Sequence, residues 1–389
     1  MILGKTLHNE RGDDLLKQGV VLTERYVELL RGRRYRSIYV AEPGTEDLLI
    51  EDVLSDRVRS LAARGVSGLV QTIDQAARRA AVDVGRDAPE RVQRALESNE
   101  FRHPALDSGA LQSLLGIVAT IIDEVMDADL LAGLTTLKAH DNYTFLHSVD
   151  VTATALLIGR KMHLDRGELV QLALGCMLHD VGNVFVDARI LDKPGSLTGD
   201  EMTRVKRHAS LGYSLLRSLQ EDYVLANHVA YQHHERQNGS GYPRGLRGSN
   251  RIRRGFDPTS AGRILYLAEI AAVADVYDAL SSDRPYRPAL PPEMVVETIR
   301  SMAGVTLNRE VVAHLLSMLP VFPIGVDVRV TAGRYRGYQG VVTGVTETAL
   351  DRPRVRLVRD GDHYPLTSAF EIDLAEDEDT RITTLLADR

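Results

Sequence analysis

The pattern of apolar and polar positions divides the chain into a long middle region and two shorter ends. From about residue 46 to about residue 319, apolar residues recur at helical spacing and few runs favour strands. One segment, at about residues 108–126, is apolar on nearly every side, which predicts burial in the core or across a dimer interface. We therefore predict a helical connecting region over residues 46–134 and a helical domain over residues 135–320.

The two ends of the chain have different patterns. Residues 1–45 contain a helix capped by Thr23 and then a short β-rich run, which predicts a small α/β unit. Between about residues 322 and 375, apolar and polar positions alternate within short runs that are separated by glycine and Asp-Gly turns. This pattern predicts a small antiparallel β-barrel or sandwich over residues 321–389. The expected fold class is mainly α, with a helical core between two smaller units.

Composition and charge narrow the class of protein. The 389 residues are 44% hydrophobic and 26% charged, as in soluble globular proteins, and the net charge of −7 gives no general attraction to nucleic acid polymers or anionic membranes. The single cysteine, Cys176, excludes an intramolecular disulfide. No signal peptide and no apolar run of about 18 residues is found. We expect a cytoplasmic protein that binds neither a nucleic acid polymer nor a membrane.

Histidines and aspartates stand out at the ends and inner faces of the predicted helices. Taken singly, each has an ordinary interpretation, such as a solvated helix end for His233 and His234. However, His179 and Asp180 end an apolar helix and Asp275 interrupts another, where a buried polar group needs a partner or a metal ion to offset desolvation. The candidate ligands are His147, His179, Asp180, His208, His233, His234 and Asp275.

Five histidines and two aspartates supply about the number of ligands that two imidazole-rich metal sites require. One carboxylate can bridge two ions about 3.5–4 Å apart, a spacing used to activate water for phosphoester cleavage. Asp180 is adjacent to a candidate ligand, so we predict that it is the bridge. The glycine-rich turn at residues 238–243 opens a long loop of the kind that often has a function inside a compact domain.

These residues resemble a known family. The His179–Asp180 doublet is similar to that of the HD phosphohydrolase superfamily, and the segments HHERQNGSGYPRGL and DVYDALSSDRPYR resemble its HD-GYP group. The resemblance covers about residues 143–312. Members of this group are mostly helical and hydrolyse cyclic di-GMP to pGpG, sometimes on to GMP, at a centre of two or three metal ions, often iron or manganese. The resemblance therefore implies a helical HD-type bundle core.

The resemblance also implies roles for individual residues. It assigns one metal ion to His147, His179, Asp180 and Asp275, and a second to Asp180, His208, His233 and His234. Catalysis would centre on His179 and Asp180, where water activated between the two ions attacks phosphorus. The implied substrate-binding residues are Tyr242, Asp278, Arg284, Arg287 and Asn183. Cyclic di-GMP is the implied ligand, and a homodimer and signalling protein partners are further expectations.

The chain departs from the family pattern at three positions. Asn183 replaces the usual lysine after His-Asp, which removes a cation near the phosphate and leaves a hydrogen-bond donor, so we expect lowered or retuned activity. Tyr143 replaces a glutamate that supports a third metal in some members, so we expect two ions. Asn238 replaces an aspartate, and both residues serve turns.

The loop that follows the turn is rich in arginine. It carries Arg247, Arg251, Arg253 and Arg254. These side chains either frame the phosphates of a substrate or form a solvated basic loop.

Two other functions stay open at this point. The missing lysine also fits a cyclic dinucleotide sensor with little turnover. Metal ions and arginines recognise phosphate rather than bases, so the same chemistry fits another cyclic dinucleotide or a nucleotide phosphoester.

Overall fold

A computed structural model describes most of the chain. The described residues are 1–4, 6–8, 14–33, 38, 40–41, 44–45, 47–48, 52–79, 89–96, 98, 101, 109–128, 144–193, 195–219, 222–254, 262–282 and 288–385.

Helices dominate the middle of the chain, as predicted. The described helices are α1 Glu24–Gly32, α2 Asp56–Arg79, α3 Pro89–Leu96, α4 Ala110–Asp127, α5 Thr144–Lys161, α6 Arg166–Met177, a 3-10 helix Val181–Phe185, α7 Ala188–Leu191, α8 Gly199–Leu219, α9 Val224–Gln232, α10 Tyr266–Ser281, α11 Pro292–Met302 and α12 Arg309–Leu316. The described strands are β1 Ile2–Leu3, β2 Leu7–His8, β3 Asp14–Leu16, β4 Val40–Ala41, β5 Asp327–Ala332, β6 Gln339–Thr346, β7 Ala349–Arg359, β8 Pro365–Asp373 and β9 Arg381–Thr384.

One continuous hydrophobic core joins the helices from α2 to α12, apart from the short α7. Within it, α6 packs against both α5 and α9, α10 packs against α5, and α8 packs against α9 and the 3-10 helix. The first turn of α6 is fixed by a capping box between Asp165 and Glu168. Helix α10 is buried along most of its length, so its polar residues lie inside the bundle.

The apolar segment predicted at about residues 108–126 forms α4, which runs from Ala110 to Asp127. Its inner face packs against α2. Six of its apolar side chains are buried, namely Leu114, Ile117, Val118, Ile121, Ile122 and Val125. Burial in the core of the chain therefore accounts for this face, and the homodimer stays a prediction.

The C-terminal region is a small antiparallel β unit, as predicted, but the barrel or sandwich is wrong. Strands β5 to β9 form one sheet in the order β8-β7-β6-β5-β9, so β8 and β9 lie at opposite edges. Alternate side chains of this open sheet, including Val328, Val342, Val355 and Leu357, form its own small core. Alternation assigns each side chain to a face and does not determine whether the sheet closes.

Polar contacts join the sheet to the helices. The carboxylate of Glu293, on α11, accepts hydrogen bonds from the backbone N of Thr384 at 3.0 Å and from the hydroxyls of Thr383 and Thr384 at 3.2 and 2.6 Å. At the other end of the chain, β1 pairs with β4 and β2 with β3. The N-cap Thr23 accepts from the backbone N of Tyr26 at 3.4 Å. Among the described helices, none combines the length and the hydropathy needed to span a bilayer.

Candidate metal centre

The seven predicted ligands converge from five helices. His147 lies in the first turn of α5, His179 and Asp180 follow α6, His208 lies within α8, His233 and His234 follow α9, and Asp275 lies within α10. They form two groups in which the possible ligand atoms lie within 4.8 Å of one another. One group contains Asp180, His208, His233 and His234, and the other contains His147, His179 and Asp275. Each group could hold a metal ion.

Asp180 lies between the two groups. Its Oδ2 atom is 3.4 Å from Nε2 of His179, and its Oδ1 atom is 3.4 Å from Nε2 of His208. The Asp180 side chain is 34% exposed, whereas those of His179 and His208 are only 2% exposed. The carboxylate therefore offers one oxygen to a histidine of each group, as a bridging ligand does.

Backbone carbonyls fix the tautomer of three histidines. His179, His208 and His233 each have Nδ1 at 2.6, 2.7 and 2.9 Å from the carbonyl oxygen of the residue three positions earlier. A carbonyl oxygen can only accept, so Nδ1 carries the proton in each ring. The neutral form of each ring therefore presents a bare Nε2 lone pair to the centre, which is the form that binds a metal.

Two of these lone pairs face each other. Nε2 of His208 lies 3.3 Å from Nε2 of His233, and both Nδ1 protons are already used by carbonyls. Burial and the neighbouring imidazole of His234 hold the pKa of His233 well below its usual range, so this ring is neutral. Facing lone pairs repel unless a cation lies between or beside them. The donor set therefore fits a metal ion.

His147 is held between two carboxylates of α10. Its Nδ1 lies 2.5 Å from Oδ2 of Asp278, and its Nε2 lies 3.4 Å from Oδ1 of Asp275. Burial alone would lower the pKa of His147, but Asp278 and Asp275 outweigh it and raise the pKa to about 10. Asp278 is 1% exposed. It therefore lies behind a candidate ligand, which favours a positioning role over the substrate contact predicted from the sequence.

The contact between Asp278 and His147 predicts an effect of Asp278 on metal affinity. Replacing Asp278 with alanine removes the acceptor that fixes the His147 ring, and outer partners of this kind contribute about 10–100-fold to metal affinity. We expect a loss of that size, measured by metal content after dialysis against a competing chelator. The variant Ser282→Ala, which loses only the 3.3 Å contact with the other oxygen of Asp278, is the control and should bind metal normally. Unchanged metal affinity in Asp278→Ala would contradict the positioning role.

The glycine-rich turn brings Tyr242 against the second group of ligands. The ring centroid of Tyr242 lies 4.6 Å from that of His234 and 6.3 Å from that of His208. The backbone N of Tyr242 donates to the carbonyl of His234 at 3.2 Å. A Cβ on Gly241 would lie 2.5 Å from that carbonyl oxygen, so only glycine allows this close return of the chain.

The side chains of Glu235 and Asn238 hold the glycine-rich turn in place. The sequence patterns did not identify Glu235. Glu235 is 2% exposed, and its carboxylate accepts from the backbone N of Arg244 at 2.8 Å and of Leu246 at 2.7 Å. The Oδ1 atom of Asn238 accepts from the backbone N and the hydroxyl of Ser240 at 3.0 and 2.7 Å. Asn238 therefore serves the turn, as predicted. The position of Glu235 directly after two candidate ligands is the sequence feature that could have indicated its role.

Glu269 is a second buried anchor of this region. It is 5% exposed on α10 and accepts a 2.6 Å hydrogen bond from Nε2 of Gln237, whose own Oε1 accepts from the backbone N of Asn250 at 3.0 Å. Burial raises the pKa of Glu269 to about 7, although the hydrogen bond from Gln237 acts in the opposite direction.

The raised pKa of Glu269 predicts a pH-dependent effect on stability. The folded state holds the proton of Glu269 more tightly than the unfolded state, in which the pKa of this carboxyl is 4.5. The stabilisation is therefore complete below pH 4.5 and is lost as the pH rises through about 7. Glu269→Gln should therefore raise the urea midpoint relative to the wild type at about pH 8 and lose most of that advantage at about pH 5. The exposed Glu376→Gln is the control. An advantage of equal size at both pH values would contradict the prediction.

The remaining predicted residues are placed as follows. Asn183 lies in the 3-10 helix, and its Oδ1 atom is buried with no hydrogen-bond partner among the described residues. Arg254 donates to the carbonyls of Met162 and His163, beyond the C-terminal end of α5. That end is about 22 Å along the helix from His147, so Arg254 is not near the centre. Tyr143, Arg284 and Arg287 lie outside the described residues.

The helical core therefore holds two linked groups of imidazole and carboxylate side chains, each of which could bind a metal ion. Residues 128–311 match the family described as HD domain. The HD family binds divalent metal ions, and both ligand groups lie within the matched residues. The resemblance to the HD superfamily is confirmed.

Curated relatives agree with this family. The chain is 34% identical over 244 residues to the cyclic di-GMP phosphodiesterase PA4108 of Pseudomonas aeruginosa, covering 61% of this chain and 54% of that protein. It is 30% identical over 221 residues to the 3'3'-cGAMP-specific phosphodiesterase 3 of Vibrio cholerae, covering 57% and 42%. It is 34% identical over 179 residues to a cyclic di-GMP phosphodiesterase of Thermotoga maritima, covering 46% and 45%. The chain spans about half the length of these relatives.

Proposed function

We propose that the chain is a metal-dependent phosphodiesterase that hydrolyses cyclic di-GMP to pGpG. The observation that carries this proposal is the position of Asp180, whose two oxygens lie at equal 3.4 Å distances from a histidine of each ligand group. A shared carboxylate of this kind suits two ions that act on one phosphodiester. The names of the relatives that the chain matches support the substrate class.

In this proposal the seven ligands divide as the resemblance implies. His147, His179, Asp180 and Asp275 hold one ion, and Asp180 also joins His208, His233 and His234 at the other. When bound, two divalent ions, iron or manganese, lower the pKa of water and stabilise charge that develops on the phosphoryl group.

The protein residues position the reacting groups. His179, His208 and His233 keep their protons on Nδ1, and Asp278 holds the ring of His147. Tyr242 contacts a base or ribose at the edge of the centre. Arg284 and Arg287 bind phosphate oxygens, for which the planar guanidinium group is suited.

A combined metal and product assay tests the proposed function. Anaerobically purified protein is analysed for metal, loaded with Mn²⁺ or Fe²⁺ and incubated with cyclic di-GMP, and the products are separated by chromatography. We expect two ions per chain and conversion to pGpG, with GMP as a later product. Treatment with a chelator should stop the reaction. Unchanged cyclic di-GMP with the metal-loaded protein would overturn the proposal.

A second candidate shares the site and differs in substrate or turnover. One of the relatives is named as specific for 3'3'-cGAMP, and Asn183 stands where the family has a lysine. The same assay with 3'3'-cGAMP distinguishes a different substrate preference. Tight binding of either dinucleotide without product would favour a sensor.

A further inference from the structure

A lysine on α8 lies beside the candidate metal centre. Lys206 is two residues before His208, and its Nζ atom lies 5.2 Å from the centroid of the Tyr242 ring. That ring packs against His234 and His208, so the ammonium group is at the rim of the group that contains both histidines. Within the described part of the chain, no carboxylate forms an ion pair with Lys206.

Position 183 and α8 lie on adjoining elements. The 3-10 helix that carries Asn183 packs directly on α8, and a Cβ added to Gly182 would overlap the carbonyl oxygen of His208. Position 183, where this chain has no cation, and Lys206 therefore lie on two elements that pack against each other. Arg254 does not supply a cation near position 183, because it donates to carbonyls beyond the C-terminal end of α5.

We propose that Lys206 binds a phosphate of the substrate and supplies the cation that position 183 lacks. This inference rests on the proposed function. The ammonium group has three donors, and an exposed cation–π contact contributes only about 0.5–1 kcal/mol. The ring of Tyr242 therefore holds Lys206 near the centre without preventing its donors from reaching a phosphate oxygen. In this proposal Lys206 binds the substrate, and it belongs to neither group of candidate metal ligands.

Paired variants of Lys206 and Arg207 test this role. Lys206→Met removes the charge and keeps an unbranched apolar stem over Tyr242, whereas Lys206→Arg keeps the charge. Arg207→Met is the matched control, because the next residue of a helix points about 100° away. The protein is loaded with Mn²⁺, and KM, kcat and the equilibrium Kd for cyclic di-GMP are measured together with metal content and Tm.

The expected result is a change in substrate affinity alone. Loss of one charged hydrogen bond should raise the KM and Kd of Lys206→Met about tenfold or more, with kcat, metal content and Tm close to the wild type. Lys206→Arg should recover most of the affinity, and Arg207→Met should resemble the wild type. Equal Kd values for Lys206→Met and Arg207→Met would overturn the inference.

The assay separates this inference from the proposed function. If the wild type binds cyclic di-GMP without cleaving it, the proposed activity fails, and the Kd comparison still tests Lys206. If the wild type cleaves cyclic di-GMP and Lys206→Met retains the wild-type Kd and KM, only the role of Lys206 fails. If the metal-loaded wild type neither binds nor cleaves cyclic di-GMP, both fail.

Discussion

Replacing Asp180 with alanine should remove metal binding and cyclic di-GMP cleavage together. The change deletes both oxygens that lie 3.4 Å from His179 and His208, so each ligand group loses the residue that links it to the other. Outer partners of metal sites contribute about 10–100-fold, so loss of a shared ligand should lower turnover by more than about a hundredfold. Metal content per chain and the rate of pGpG formation are the measurements.

Two comparison variants make the Asp180 result specific. Asp187→Ala removes a carboxylate that caps α7, pairs with Arg189 and belongs to neither ligand group, so it should keep both metal and activity. Asp180→Asn keeps the size of the side chain and loses its charge, so it should fall between the wild type and Asp180→Ala in metal content. Full metal loading and activity in Asp180→Ala would contradict both the bridging role and the proposed mechanism.

Replacing Gly182 with alanine should have the second largest effect, through packing. The added Cβ would overlap the carbonyl oxygen of His208 and lie 2.7 Å from the backbone N of Gly212, and backbone atoms of a helix cannot move aside cheaply. Overpacking of this kind costs about 1–3 kcal/mol, and relief by moving α8 would separate His208 from Asp180. We expect a lower Tm and a lower metal content in the same variant.

Gly116→Ala is the matched control for Gly182→Ala. Gly116 lies within α4, and a Cβ there meets no atom within 4 Å. Alanine favours a helix over glycine by about 0.5–1 kcal/mol, so this variant should be slightly more stable and bind metal normally. A normal Tm and metal content in Gly182→Ala would contradict the close contact between the 3-10 helix and α8.

A polar residue inside an apolar helix is a signal that the sequence carries by itself. It points to Asp275, which the structure places beside His147. Glu269 lies six residues before Asp275 on the same buried helix, and the same rule applies to it, but the resemblance gives no role to that position. Its partner Gln237 comes from a loop, and a contact between a loop and a distant helix has no periodicity to reveal it.

Other features depend on contacts between segments that are distant in the sequence, which local patterns do not encode. Alternation locates the strands of the C-terminal region, but the open order of the sheet and the late strand β9 follow from pairing between distant segments. Asp278 is three residues after Asp275, and residues three apart share a helix face. Only the packing of α10 on α5 places Asp278 on Nδ1 of His147. In the sequence, Arg254 is one of four similar arginines, and only its carbonyl partners set it apart.

The carbonyl groups that orient His179 and His233 have a consequence for the lengths of two helices. Cys176 and Ala230 lie in the last turns of α6 and α9, so both helices direct their C-terminal ends at the centre. The partial negative charge of a helix C-terminus favours a nearby cation, and it adds to the charge of the aspartates. One inserted residue in either helix would rotate its histidine by about 100° and turn that end away. The lengths of α6 and α9 therefore help to determine the geometry of the candidate metal site.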